Sequence, residues 1–129
     1  MTKPLEPTPS AYDDQNVFAR VLRKEIPADV VFENEGALAF KDIAPQAPVH
    51  VLVIPKGPYN ALTTFLTEAS PQEITFFWQA IHETIALFSL DKGLRLIIND
   101  GHDGGQEVPH VHAHILGGRH LGPLLSDPA

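Results

Sequence analysis

Three histidines alternate with apolar residues in His110-Val111-His112-Ala113-His114-Ile115-Leu116. Such alternation predicts a half-buried β-strand. Residues i, i+2 and i+4 of a strand share one face. The three imidazoles therefore project from one side, about 6.7 Å apart in rise. Val111, Ala113 and Ile115 turn to the other side, toward a core. Two chemistries suit such a row. Neutral imidazoles bind metals, and His-x-His on a strand is a reasonable zinc pair. Alternatively, one imidazole nitrogen attacks phosphorus and forms a covalent intermediate while its neighbours hold the phosphate oxygens. The bland alternative is three structural or merely exposed histidines. Three in register, all titrating near neutrality, point instead to a working site.

The residues before the row bear on that choice. Asp103-Gly104-Gly105-Gln106-Glu107-Val108-Pro109 contains adjacent glycines whose backbone can approach a ligand closely. Consecutive N–H groups in such a turn form an anion-binding concavity. Alone, a Gly-Gly pair marks only a turn. Joined to the histidine row, it reads as a phosphate cradle.

The elements that position these groups follow from periodicity and punctuation. With 129 residues, 43% apolar and 19% charged, the chain suits one globular domain with a proper core. Residues 1–12 carry Pro4, Pro7 and Pro9 and are expected to form a mobile tail, leaving residues 13–129 as the domain with a short C-terminal tail. Asp13 or Asp14 is positioned to cap a short helix carrying Val17, Phe18, Val21 and Leu22, which Pro27 ends. Val30–Phe32 and Ala37–Phe40 read as strands joined at Asn34-Glu35-Gly36. Val49–Ile54 is apolar on both faces, as a central strand requires. Ser70-Pro71-Gln72-Glu73 carries the signature of a capping box and opens a long helix that Gly93 is placed to end. Its broad apolar face, with Phe76, Ala80 and Leu87 beside Ile74, Phe77, Trp78 and Ile81, serves either the core or a subunit interface. Leu94–Asn99 is the next strand, and the long connection over 100–109 marks a working loop. The expected class is α+β: a mainly antiparallel sheet with one long and one short helix.

The formal net charge of −7 argues against a sequence-independent nucleic-acid binder, which needs many Lys or Arg contacts to phosphate. It leaves room for a small anionic ligand held by N–H groups and neutral side chains. Without cysteine, disulfides and thiolate zinc sites are impossible. No apolar run is long enough to span a bilayer, and Met1-Thr2-Lys3-Pro4-Leu5-Glu6-Pro7 lacks a signal-peptide core, so the cytoplasm is the expected compartment and no membrane partner is expected.

The run Gly104-Gly105-Gln106-Glu107-Val108-Pro109-His110-Val111-His112-Ala113-His114-Ile115-Leu116-Gly117-Gly118-Arg119 closely resembles the histidine-triad (HIT) family, whose motif is His-φ-His-φ-His-φ-φ. Its Leu-Gly-Gly-Arg ending resembles the nucleotide-binding Hint branch. Phe18–Arg20 with Lys24–Ala28, Ala39–His50 and Val53–Lys56 are similar to upstream segments of that branch. The resemblance implies a two-fold dimer of α+β subunits. It also implies cofactor-free, metal-independent hydrolysis of purine nucleoside phosphoramidates and related nucleotidyl compounds. His112 matches the nucleophile, which forms a nucleotidyl-histidine that water then cleaves. His114 matches a phosphate contact, His110 a supporting residue and His50 a support from the neighbouring strand. Asn99, Gly105 and Gln106 match the phosphate end of the nucleotide site. Asp42 matches the acceptor of the ribose hydroxyls, and Phe18, Leu22, Ile26, Phe40 and Ile43 match the walls of the base pocket.

Three positions depart from the pattern. Glu107 stands where some members have Ser; an ionised carboxylate repels phosphate unless it is protonated or turned away, so delivery of a proton to the leaving amine is one role for it. Pro109 replaces a frequent aromatic residue and has no N–H to donate. The tail after Arg119 lacks the tryptophan of some members. Two further readings stay open at this stage: a non-catalytic nucleotide-binding or regulatory protein, and a metalloprotein using the histidine row.

Overall fold

In the computed structural model, which describes residues 12–125, five strands form one antiparallel sheet in the order β1-β2-β3-β5-β4. The elements run α1 (Val17–Leu22), β1 (Val30–Glu33), β2 (Ala37–Lys41), β3 (Val49–Pro55), α2 (Leu62–Glu68), α3 (Pro71–Leu87), β4 (Arg95–Ile98) and β5 (Ala113–Gly117). The expected α+β class and antiparallel sheet are found, with β3 at the centre. A second short helix, α2, is added to the two that the sequence predicts. Most of the expected tail lies outside the described residues, but Tyr12 belongs to the folded unit, packed edge-on to His110.

Alternation along the strands divides the sheet into two chemically distinct faces. Ala37, Ala39, Val51, Val53, Ala113 and Ile115 face one way and bury against Phe65 of α2 and Phe77, Ala80 and Ile81 of α3. Leu38, Phe40, Leu52 and Ile54 face the other way and meet Phe18 and Val21 of α1. His50 and His114, the even-numbered residues of β3 and β5, share this second face with α1. The long helix thus supplies the core, and the short first helix roofs the site.

The helix ends correct three expectations. The α1 cap is Asn16, not Asp13 or Asp14: its Oδ1 accepts the N–H groups of Phe18 and Ala19, both at 2.9 Å. This helix stops at Leu22, where Lys24 takes a left-handed conformation (φ 64°), well before Pro27. α3 opens with the predicted capping box between Ser70 and Glu73 but ends at Leu87, and the left-handed residue after it is Ser89 (φ 51°) rather than Gly93. Gly93 instead shapes the turn into β4 (φ 117°). α2 has no capping side chain of its own. Asp100, 37 residues further on, accepts the Thr63 N–H at 3.0 Å and ties the helix start to the glycine loop.

Candidate active site

The histidine row does not lie wholly on a strand. β5 begins at Ala113, and His110-Val111-His112 run beside the sheet without joining its ladder. Pro55 gives the physical reason. In the register that pairs Val53 with Ala113, the next pair that would exchange hydrogen bonds, past Ile54–His112, is Pro55 with Val111. Proline has no N–H for that rung. The Val111 N–H goes instead to the Tyr59 carbonyl (2.9 Å), and the Pro55 carbonyl accepts Nε2–H of His110 (2.8 Å). The alternation nevertheless survives: Val111 is buried in the α3-side core, while His110 and His112 face α1.

Hydrogen bonds fix the ring protons of the row. His110 donates from Nε2 to Pro55, so its Nδ1 accepts from the Tyr12 hydroxyl at 2.6 Å. His112 Nδ1 lies 2.7 Å from the His110 carbonyl, which can only accept, so Nδ1 carries the proton and Nε2 keeps its lone pair. His50 accepts the Gln46 N–H at Nδ1 (3.1 Å), and its Nε2–H therefore points to His114 Nδ1 at 2.9 Å. His114 is left with its proton on Nε2, as a donor. The His112 ring packs edge-on between Phe18 (4.9 Å) and His114 (5.0 Å).

Burial disfavours the charged form of the three rings of the row. It pushes His110 down to about 4, and it pushes His114 down to about 4 with help from the neighbouring His112 and His50. Burial also lowers His112, opposed by its bond to the His110 carbonyl and by the negative fields of Asp42 and Glu107. At neutral pH the arrangement is therefore an uncharged nucleophilic nitrogen beside an uncharged N–H donor.

Asp42 closes one end of this arrangement. One carboxylate oxygen accepts the Ala44 N–H at 2.8 Å, and the other stands 3.4 Å from His50 Nε2. Asp42, His50 and His114 bring potential ligand atoms within 4.8 Å of one another. The His50–His114 hydrogen bond accounts for that closeness without an ion. At the other end, Asn99 follows β4 and comes opposite His112 one step beyond the Ile98–Ala113 pair. Its Nδ2 donates to the Gly104 carbonyl at 2.6 Å, which fastens the glycine loop to the strand end.

The loop itself departs from the expected cradle. The Gly105 N–H is engaged within the turn, donating to the His102 carbonyl at 3.0 Å. Gln106 braces the loop with its whole side chain: Oε1 accepts the Gly101 N–H, and Nε2 donates to the carbonyls of Asn60 and Val108. A phosphate bond from Gly105 requires that turn to open, and no polar atom of the Gln106 amide is left to point at a ligand. Glu107 is exposed, and its charge reaches His112. Of the apolar wall, Phe18 and Phe40 are buried, and Leu22 and Ile26 pack against them half-buried. Ile43 is the exception, 97% exposed in the turn after β2. Leu22 and Ile26 also line a groove of about 530 Å³ with Lys24, Val30, Leu38 and Lys56, beside the triad rather than over it.

Residues that carry no local signal complete the site. Tyr12, Asn16 and Gln46 each hold a site residue or its partner, through contacts that no motif announces.

A family model for the HIT domain matches residues 23–121, which span the sheet, α2 and α3, and the whole triad. The chain belongs to the HIT family. Among curated HIT-like relatives, an uncharacterised 13.2 kDa protein of Azospirillum brasilense is 48% identical over 116 residues, covering 89% of this chain and 95% of its own length. The purine nucleoside phosphoramidase of Escherichia coli is 41% identical over 117 residues, covering 88% and 95%. Among solved structures, a HIT family hydrolase from Clostridium thermocellum superposes with a TM-score of 0.78 at 38% identity, covering 87% of this chain and 98% of that one. A HIT family hydrolase from Legionella pneumophila gives 0.76 at 37%, covering 82% and 95%. The fold expected from the HIT resemblance is therefore the fold found. Among the described residues no helix is long and apolar enough to cross a membrane.

Proposed function

We propose that this HIT protein is a nucleotidyl hydrolase that cleaves the P–N bond of purine nucleoside phosphoramidates through a nucleotidyl-His112 intermediate. The observation that carries the reading is the His112 ring, protonated at Nδ1 by its bond to the His110 carbonyl and bearing a free lone pair at Nε2. In the first step Nε2 attacks the α-phosphorus, the P–N bond breaks, and the amine leaves with a proton that the Glu107 carboxylate relays from solvent. In the second step water adds to phosphorus, the His112–phosphorus bond breaks, and a nucleoside monophosphate is released. Splitting one displacement into two is the general advantage of covalent catalysis.

The other groups act on charge and position. His114 Nε2–H donates to a phosphate oxygen, where a preorganised neutral donor stabilises developing charge. Asn99 binds the same phosphate, joined by the Gly105 N–H once its turn opens; Asp42 accepts the ribose hydroxyls, and Phe18, Leu22, Ile26 and Phe40 wall the base. Ile43, exposed beside Asp42, gains an apolar partner when a base lies over it. The chain works as a two-fold dimer in this reading. Trp78 (46% exposed) and Leu87 (57% exposed) leave apolar surface on α3, and β4 is a sheet edge.

The test is incubation with adenosine 5′-phosphoramidate. AMP release, with mass spectrometry of the quenched reaction placing a nucleotidyl group on His112, is the expected result. Nucleotide binding without release would replace the enzyme by a binding or regulatory protein, and an adduct on any other residue would reassign the nucleophile. Glu107→Gln tests the proton donor: unchanged rates for both steps across pH would remove that role.

A second reading replaces the His50–His114 hydrogen bond by a metal held at the ligand atoms of Asp42, His50 and His114, which lie within 4.8 Å of one another. Activity lost to a chelator and restored by zinc would select it; activity indifferent to chelator selects the metal-free mechanism.

A further inference from the structure

The Tyr12 hydroxyl lies on a single-file chain of hydrogen bonds running from the cap of α1 to the triad. Asn16 commits its whole amide. Oδ1 accepts from Phe18 and Ala19, and Nδ2 donates to the Asp13 carbonyl (2.7 Å) and to the Tyr12 oxygen (2.9 Å). Because the Tyr12 oxygen accepts from Asn16, its one proton is free to be donated, and His110 Nδ1 lies 2.6 Å away. His110 completes the chain by donating from Nε2 to the Pro55 carbonyl at 2.8 Å. Each donor and acceptor along this line has one direction only.

The next link reaches the chemistry. The carbonyl that holds His112 Nδ1–H belongs to His110. The His110 ring is fully buried and anchored at both nitrogens, from Tyr12 on one side and Pro55 on the other. With the Pro55 bond alone, the ring could turn about that one contact; the Tyr12 bond removes the freedom. No strand ladder does this work, because β5 begins only at Ala113. The Val111 N–H on the Tyr59 carbonyl (2.9 Å) holds the same peptide from its other side, and the side-chain anchoring of His110 completes the support.

We infer that Tyr12 is a positioning residue for the triad: through His110 it fixes the carbonyl that sets the ring proton and orientation of His112. The inference rests on the proposed role of His112 but concerns the geometry of the unliganded ring, so it can be tested apart from turnover. Burial raises the Tyr12 hydroxyl above its ordinary value, which keeps it a neutral donor throughout the working range.

The decisive variant is Tyr12→Phe, which keeps the ring against His110 and deletes only the hydroxyl. Nitrogen-15 NMR of the histidine rings in the free protein reads the tautomers directly. In the wild type, His110 is expected as the Nε2–H form and His112 as the Nδ1–H form. In Tyr12→Phe, the His112 signals are expected to move toward a mixture of the two. With adenosine 5′-phosphoramidate, kcat is expected to fall about three- to tenfold, the worth of one net hydrogen bond, while KM changes less than twofold. His112 signals identical in the two proteins would overturn the inference, whatever happens to the rate. A wild type that forms no nucleotidyl-His112 would instead sink the proposed function, and the NMR comparison would still decide the positioning role.

Discussion

His50 Nε2 lies 2.9 Å from His114 Nδ1, across the β3–β5 pair. The direction of that bond is set one step further back, where His50 accepts the Gln46 N–H. The consequence is a His114 ring that offers Nε2–H to whatever lies before it. Replacing His50 by Ala removes the partner that chooses this tautomer. We expect kcat to fall about tenfold, as for loss of a well-aligned bond, with His114 becoming a tautomer mixture in the same NMR measurement.

The acid limb of activity belongs to His112 in the proposed mechanism. Attack needs Nε2 unprotonated, and burial holds this ring below its ordinary value of 6.5. Profiles of kcat/KM, which report the free enzyme, should therefore stay level through neutrality and fall only below pH 6.5. The negative field of Glu107 opposes the lowering. Glu107→Gln removes that field and should move the limb to still lower pH.

Stability should fall with acid for a related reason. His110 is folded with a value near 4 and unfolds to one near 6.5. The unfolded chain thus binds more protons between those values, and stability is lost as pH drops through that window. Above pH 6.5 this residue adds no slope. From pH 7.5 to 5, His110 should cost about 2 kcal/mol, and His114 acts in the same direction. Urea unfolding at the two pH values, with His110→Asn as the comparison, measures the contribution.

Gly104 is confined by backbone rather than by side chains. A Cβ added there would meet the Asp100 carbonyl oxygen at 2.4 Å and its nitrogen at 2.8 Å. Gly104→Ala should therefore push Gly104 away from Asp100 and break the Asn99–Gly104 bond. We expect kcat/KM to drop at least about tenfold, since small displacements of positioned groups are costly, with the thermal midpoint changed little.

The capping box of α3 is remote from the triad. Ser70 accepts the Glu73 N–H at 3.1 Å, and Glu73 accepts the Ser70 N–H at 3.0 Å. Ser70→Ala should cost about 1 kcal/mol of stability and leave kcat/KM unchanged, as denaturant titration and steady-state kinetics would register.

What could be read from the sequence was local in origin. The β1–β2 hairpin, the central β3 and the start of α3 each follow from a few neighbouring residues, and the alternation around His112 correctly sorted apolar from histidine faces. The helix ends were missed locally, where Asn16, Lys24 and Ser89 took the parts expected of Asp13 or Asp14, Pro27 and Gly93; the other misses are long-range. α2 takes its cap from Asp100 in a distant loop. Tyr12 meets His110 across 98 residues. The start of β5 depended on a missing N–H in a different strand. Gly105 and Gln106 have the right types for a ligand cradle, but only the folded loop reveals that their donors are already engaged.

The proline that ends β3 also decides how the histidine row can move. His114 is carried by a sheet rung and shares the stiffness of the whole sheet. His112 and His110 lie past the last rung, tethered by individual bonds of their rings and of the His110 and Val111 N–H groups. In the proposed mechanism, a nucleophile on that tether can travel the fraction of an ångström that bond formation to phosphorus demands without tearing a ladder apart, while His114 stays fixed as the reference against which the phosphate would be held.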